Sequence, residues 1–92
     1  PDSPYVPDAR QRMIYLRNLF ARYELHIADY YFRRKAYIAA ANRANEIIQQ
    51  YQGAPEVKHA LMIMIKAYRI LGLETLARQS LAIYRLNYPD SI

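Results

Sequence analysis

The sequence predicts an all-α fold in which antiparallel helix pairs, the first helix unusually long, stack into an α-solenoid. Two stretches match each other at a constant separation of 37 residues, in the pairs Tyr31/Tyr68, Ala40/Ala77, Ala44/Leu81 and Ile47/Tyr84. A fixed period of this size is typical of repeats that each bury an apolar face against the next repeat. The composition agrees, because only two Gly and few Val or Thr give little support for strands and hairpins.

The first helix is predicted to begin at Asp8, an acceptable N-cap, after an inter-repeat turn at residues 1–7. Apolar residues then recur at alternating spacings of three and four, which is the pattern of one helix face. These residues are Met13, Leu16, Phe20, Tyr23, Ile27 and Tyr30. Because neither Pro nor Gly interrupts the pattern before Arg34, we expect about 26 unbroken residues, with a break near Arg22 as the alternative.

Three shorter helices are predicted to complete two pairs. The second covers residues 37–51 and stops at Gly53 and Pro55, the third covers residues 56–71, and the fourth covers residues 73–88 before Pro89. The first repeat is therefore placed at residues 8–52 and the second at 53–92, within a single domain of residues 1–92. The side chains predicted to point inward are Ala40, Ala44, Ile47, Ile48, Leu61, Met64, Ile65, Tyr68, Leu76, Ala77, Leu81 and Tyr84.

Composition and charge limit the possible functions. The absence of Cys excludes disulfides and thiolate metal sites in this chain, and no run of about 18 apolar residues is present to span a bilayer. The formal net charge is +5 and ten of the 13 cations are Arg, which favours bidentate contact with carboxylates or phosphates. Since the chain starts at Pro1 without Met and repeats the tripeptide Pro-Asp-Ser at Pro89, we expect an excerpt of a longer protein.

The second helix pair resembles the tetratricopeptide repeat almost position for position. The matching positions are Leu61, Met64, Tyr68, Gly72, Ala77, Leu81, Tyr84 and Pro89. A small residue such as Ala77 lets the two helices approach closely, and Pro89 ends the unit. The first pair is similar but has Arg34 and Lys35 where the pattern has a turn Gly.

Longer segments resemble the BamD family of outer-membrane assembly lipoproteins over essentially the whole chain. They lie at residues 8–13, 16–19, 23–31, 40–44 and 67–69. The match corresponds to the C-terminal half of that family. It implies a periplasmic tetratricopeptide protein of the β-barrel assembly machinery, at the periplasmic face of the Gram-negative outer membrane. The lipidated Cys that tethers such proteins would lie upstream of this chain.

The resemblance also implies a partner and candidate site residues. In that family the C-terminal repeats dock on the membrane-proximal POTRA domain of BamA, the barrel component, and the small lipoprotein BamE is a further candidate partner. Asn42 and Arg43 match an Asn-Arg pair whose Arg bridges to an acidic POTRA residue, and Tyr68 and Arg69 lie in another matching segment. A guanidinium–carboxylate fork can be a binding hot spot when it is partly desolvated. The competing interpretation is an exposed helix cation of little energetic weight.

No catalytic or metal-binding pattern stands out, so we expect neither a cofactor nor an enzyme. His26 and His59 have no second ligand at a metal-binding spacing. Glu24 and Asp29 are five residues apart and so lie on different faces of a helix, which argues against a catalytic carboxylate pair. Glu24 is expected to pair with a basic neighbour such as Arg17, Arg22 or His26, and the sequence does not decide which. No nucleophile elbow or phosphate-binding loop occurs.

Other interpretations remain open at this point. A generic tetratricopeptide adaptor would hold a peptide or helical segment in its concave face. Nucleic-acid binding is suggested by the pI of 9.6, but the basic residues form no stripe and no recognition motif occurs. Three cations are expected to form a solvated face: Arg10, Arg12 and Arg17. Seven tyrosines are expected either to pack in the core or to line the concave face: Tyr15, Tyr23, Tyr30, Tyr31, Tyr37, Tyr68 and Tyr84.

Overall fold

The computed structural model describes the backbone of residues 5–91 and the side chains of residues 9–90. Four α-helices follow one another: α1 (Tyr5–Arg33), α2 (Tyr37–Gln50), α3 (Glu56–Ile70) and α4 (Glu74–Asn87), before a short 3₁₀-helix at Pro89–Ser91. Connections this short make successive helices antiparallel, so α1 and α3 run parallel to each other. α2 contacts α1 and α3, and α3 also contacts α1 and α4. The predicted all-α fold of tetratricopeptide-like helix pairs is confirmed.

α1 differs from its prediction at its start but not in its continuity. It begins at Tyr5 rather than Asp8, so the turn predicted for residues 1–7 is wrong at residues 5–7, and residues 1–4 lie outside the described residues. Pro7 is compatible with this start, because the first backbone N–H groups of a helix have no intrahelical acceptor. The helix then runs unbroken for 29 residues. The alternative of a break near Arg22 is therefore wrong.

The remaining helix ends lie within one residue of their predicted positions. α2 and α3 each end one residue earlier, at Gln50 and Ile70, and α4 is one residue shorter at each end. The second Pro-Asp-Ser, predicted to be a turn, forms the 3₁₀-helix Pro89–Ser91. None of the helices in residues 5–91 is both long and apolar enough to cross a membrane. The division into repeats at residues 8–52 and 53–92 stays a prediction.

The turns between the helices of each pair are built alike, 37 residues apart. In each turn three successive N–H groups donate to carbonyls of the preceding helix; the donors are Arg34, Lys35 and Ala36, then Leu71, Gly72 and Leu73. Lys35 has φ 65° and Gly72 has φ 77°. A left-handed backbone costs a non-Gly residue about 1–2 kcal/mol. Packing of the first pair therefore imposes the repeat geometry on Lys35 against the preference of that residue.

The core consists of two adjoining clusters in which small residues let helices approach closely. The first cluster contains Ala28, Ala40, Ala44, Ile47, Ala60, Ile63 and Met64, and the second contains Ala21, Ala54, Val57, Leu61, Ile65 and Tyr84. The predicted inward positions are confirmed except Leu76, which is exposed. Ile48, Tyr68 and Leu81 are half-buried and pack against the clusters.

The apolar seam predicted along α1 lies mostly outside this core. Met13, Leu16, Phe20, Tyr23 and Tyr30 are exposed, with Met13 at 70%. The contact face of α1 instead carries five other residues: Ala21, Leu25, Ala28, Tyr31 and Phe32. Every side chain from residue 9 to residue 16 is exposed. The N-terminal part of α1 therefore projects beyond the shorter helices, in a molecule 57 Å long.

Candidate protein-interaction surface

Arg43 of α2 forms an ion pair with Glu24 of α1. The Nη1 atom of Arg43 donates to Oε1 of Glu24 at 3.1 Å, and the two side chains are 39% and 26% exposed. Glu24 therefore does pair with a basic residue, but the partner is Arg43 and none of the three neighbours suggested from the sequence. Antiparallel packing places α2 beside this part of α1, which brings Arg43 within reach of Glu24.

The ion pair orients Arg43 without using all of its donors. A guanidinium carries five N–H groups in a fixed planar fork, and within residues 9–90 its one hydrogen-bond partner is Glu24. The remaining donors can accept a second carboxylate in bidentate geometry. Because Glu24 already restrains the side chain, binding there would sacrifice less conformational entropy than binding by a solvated Arg.

An open, mainly apolar groove of about 620 Å³ adjoins this ion pair. It is lined by Leu19, Phe20, Arg22, Tyr23, Glu24, His26 and Tyr51. Glu24 thus belongs both to the groove and to the ion pair, while Phe20 and Tyr23 are 56% and 63% exposed. An apolar centre with charged residues at its rim is the usual arrangement of a protein–protein interface. We call the groove together with Arg43 and Asn42 the α1–α2 surface.

Arg17 fixes α1 against the loop that follows α2. Its Nη2 atom donates to the Gln52 carbonyl at 2.6 Å, and its guanidinium carbon lies 5.9 Å from the centroid of the Tyr51 ring. The expectation that Arg17 belongs to a solvated face is therefore wrong, whereas Arg10 and Arg12 are exposed as expected. This contact holds Tyr51 at the edge of the groove. Sequence reasoning missed the contact, because nothing in the local pattern pairs a helix residue with a distant loop carbonyl.

The other predicted site residues differ from one another in exposure. Asn42 is exposed beside Arg43 on α2, and Arg69 is exposed in the last turn of α3. Tyr68 is half-buried and packs against the first core cluster, so packing accounts for its position. The roles of these residues in partner binding stay predictions.

The predicted tyrosines divide by burial. Tyr84 is buried in the core, and three are half-buried: Tyr31, Tyr37 and Tyr68. Tyr15, Tyr23 and Tyr30 are exposed along α1. Of these three, Tyr23 lies in the groove, which is where a partner would find an aromatic side chain with one polar end.

Two further ion pairs join α1 to α3, and one of them uses Arg22 from the lining of the groove. Arg22 Nε lies 3.7 Å from Glu56 Oε2, and His59 Nε2 lies 3.9 Å from Asp29 Oδ1, the latter being charged only when His59 is protonated. Among the side chains of residues 9–90, no group of three or more His, Cys, Asp or Glu is arranged to hold a metal ion. The two acidic residues of α1 thus contact different helices: Asp29 contacts α3 and Glu24 contacts α2.

Comparison with known proteins gives one consistent result. A family model described as "YfiO: Outer membrane lipoprotein" matches residues 1–83. Three similar proteins are each named outer membrane protein assembly factor BamD. The protein from Xylella fastidiosa (strain Temecula1) is 41% identical over 98% of this chain, that from Vibrio cholerae is 40% identical over 95%, and that from Neisseria meningitidis serogroup A is 42% identical over 99%.

The matches cover nearly all of this chain but only part of each relative. This chain covers 31%, 36% and 34% of the Xylella, Vibrio and Neisseria proteins. It therefore spans about a third of the length of the curated relatives it matches, where the resemblance led us to expect half. The matches nevertheless extend over nearly all of this chain at about two identical residues in five. The chain belongs to the YfiO/BamD family of outer membrane lipoproteins.

Proposed function

We propose that this chain is a non-catalytic scaffold module for outer-membrane protein assembly, acting at the periplasmic face of the outer membrane. Its partner is the membrane-proximal POTRA domain of BamA, and BamE is a further candidate partner. Membership of the family and the names of its relatives support the process. The α1–α2 surface supports a docking role, since a restrained cation at the rim of an apolar groove suits protein binding.

The observation that carries the proposal is the position of Arg43. It is half-buried, held by Glu24 at 3.1 Å, and adjoins the apolar groove. In the docked state an acidic partner side chain takes the open edge of the guanidinium, while an apolar partner side chain fills the groove. Exclusion of water around the new pair strengthens it relative to an exposed ion pair. Arg43 then meets the description of an interface hot spot.

The test is calorimetric titration of this chain with the isolated membrane-proximal POTRA domain of its cognate BamA. Arg43→Glu is expected to weaken binding by at least about 2 kcal/mol, roughly 30-fold. Arg78→Glu makes the same charge change on the exposed surface of α4. We expect this control to leave the dissociation constant within about twofold, as for a rim charge.

A second variant separates docking from a purely structural role of the ion pair. Glu24→Gln removes the ion pair but keeps Arg43, so POTRA binding is expected to stay within about threefold of the unsubstituted chain. Equal loss of binding in Glu24→Gln and Arg43→Glu would mean that the pair only maintains the fold. Absence of binding by a chain that is helical by circular dichroism would refute the POTRA assignment.

A further inference from the structure

A second cavity, of about 500 Å³, is formed by the C-terminal ends of α2 and α4 and the loop that joins α2 to α3. It shares no lining residue with the groove of the α1–α2 surface. Its volume lies within the usual range of about 300–1,000 Å³ for sites that bind small molecules. We call it the α2–α4 cavity, and its lining consists of Ile48, Gln49, Gln52, Gly53, Val57, Asn87 and Tyr88.

Three carboxamide side chains line the α2–α4 cavity, and none of them is engaged. Gln49, Gln52 and Asn87 are exposed, and within residues 9–90 their amide groups make no hydrogen bond. Each carboxamide offers two N–H donors and one carbonyl acceptor. Groups that both donate and accept suit a ligand whose own groups do the same, such as a hydroxyl or an amide.

The lining of the α2–α4 cavity favours a neutral ligand. Within the described part of the chain, Tyr88 is the one lining residue with an ionisable side chain. Lys58 lies with its Nζ atom 5.8 Å from the centroid of the Tyr88 ring and does not itself line the cavity. The groove of the α1–α2 surface differs, because a cation and an acid, Arg22 and Glu24, are part of its lining.

Part of the wall is apolar. Val57 belongs to the second core cluster, and Ile48 and Tyr88 are half-buried against that cluster. These side chains can contact a methyl group, while the carboxamides beside them can pair with an amide. An acetamido group combines the two features, since it has a methyl group on one side of an amide.

The loop at the cavity is held in place by contacts within the chain. Arg17 Nη2 donates to the backbone carbonyl of Gln52 at 2.6 Å, which leaves the Gln52 side chain free. Gly53 has φ 84°, and a Cβ added there would meet no atom within 4 Å, so a ligand can approach the backbone closely. Binding to a wall that is already formed sacrifices less conformational entropy than binding to a loose loop.

We propose that the α2–α4 cavity binds a neutral N-acetylated amino sugar. The three carboxamides exchange hydrogen bonds with the ring hydroxyl groups and with the acetamido group, whose methyl contacts Ile48 and Val57. The last carbonyls of α2 and α4 have no intrahelical donor, and they add acceptors for hydroxyl groups. A sugar site goes beyond the proposed function, because docking at Arg43 uses none of the residues that line this cavity.

The test is an NMR titration of the isotope-labelled chain with N,N′-diacetylchitobiose up to about 20 mM, which detects a millimolar Kd. The backbone amide signals of the lining residues are expected to shift and to saturate. Gln49→Ala/Asn87→Ala is expected to weaken binding at least about 10-fold, because hydrogen bonds to the sugar are lost. The matched control, Gln11→Ala/Gln79→Ala, removes two exposed carboxamides outside the cavity and is expected to stay within about twofold.

A second sugar tests the acetamido contact. Cellobiose has the same two rings with a hydroxyl in place of each acetamido group, and it is expected to bind at least about fivefold more weakly. Since Gln49 and Asn87 are exposed, their replacement is expected to leave urea unfolding and POTRA affinity unchanged. Failure of the sugar proposal is therefore distinguishable from failure of the proposed function.

Four results would overturn the proposal. They are the absence of a saturable shift with N,N′-diacetylchitobiose, equal weakening by the control variant, equal binding of cellobiose, and tighter binding of the uncharged peptide N-acetyl-triglycine amide. The last would assign the cavity to a peptide backbone instead of a sugar.

Discussion

At the scale of single residues, Arg43 shows what the sequence could and could not predict. The resemblance singled out its position on α2, but the pairing with Glu24 depends on the register of two antiparallel helices, which no local pattern encodes. Because both side chains are half-buried, the ion pair is expected to add only modestly to the free energy of unfolding. We expect a double-mutant cycle of Glu24→Gln and Arg43→Gln, measured by urea unfolding, to give a coupling of about 0.5–1 kcal/mol. A coupling near zero would mean that the pair does not orient Arg43.

Lys35 gives a second prediction at this scale. Lys35→Gly is expected to raise the free energy of unfolding by about 1 kcal/mol, because Gly adopts φ 65° without strain. Gly72→Ala is expected to lower it by a similar amount, and since no atom lies within 4 Å of the added Cβ, the loss would come from the backbone alone. Urea denaturation of both variants tests these two expectations. An unchanged or lower stability in Lys35→Gly would contradict the strain argument.

At the scale of elements, α1 was predicted to be long and continuous, yet its contact face was missed. The seam from Met13 to Tyr30 has larger apolar residues than the true contact face, so periodicity favoured it. The contact face relies on Ala21 and Ala28, both 0% exposed, which are small because the neighbouring helices lie close. A search for apolar periodicity favours large apolar residues. The close approach of the helices here instead requires small residues at the contact.

Because the helices pack closely at Ala28, a larger side chain at this position is expected to lower the stability of the fold strongly. Ala28→Leu is expected to destabilise the fold by about 1–3 kcal/mol, because the added atoms have no space in the first core cluster. Met13→Ala is the control, since Met13 is 70% exposed, and is expected to change stability by less than about 0.5 kcal/mol. Thermal and urea unfolding measure both. Tolerance of Leu at position 28 would contradict the assignment of this face.

The projecting part of α1 predicts a gradient of stability along one helix. Residues 9–16 are all exposed, whereas residues 21–32 include the contacts to α2 and α3. A helical segment without tertiary contacts is marginal in water at this length. We expect amide hydrogen exchange of this chain to be fast at residues 9–16 and slow from Ala21 onward. Uniform protection along α1 would show that another contact covers the projecting segment.

At the scale of the whole molecule, the exposed apolar surface and the small core predict limited stability. Sixteen large apolar side chains are exposed in the described part of the chain, including Leu86 at 82%, while the core clusters rely heavily on Ala. We expect a cooperative thermal transition no higher than about 65 °C, the upper end of the usual range for mesophile domains. A transition well above that temperature would show that the alanine-rich helix contacts are stronger than this estimate.

The central proposal is that the α1–α2 surface docks a POTRA domain through Arg43, which Glu24 holds at the edge of the groove. The most direct measurement is calorimetric titration of the POTRA domain into two charge-reversed chains, Arg43→Glu and Arg33→Glu. We expect at least about 30-fold weaker binding for the first and less than about twofold change for the second. Equal weakening by both substitutions would reduce the effect to net charge, and loss in Arg33→Glu alone would move the docking site to the C-terminal end of α1.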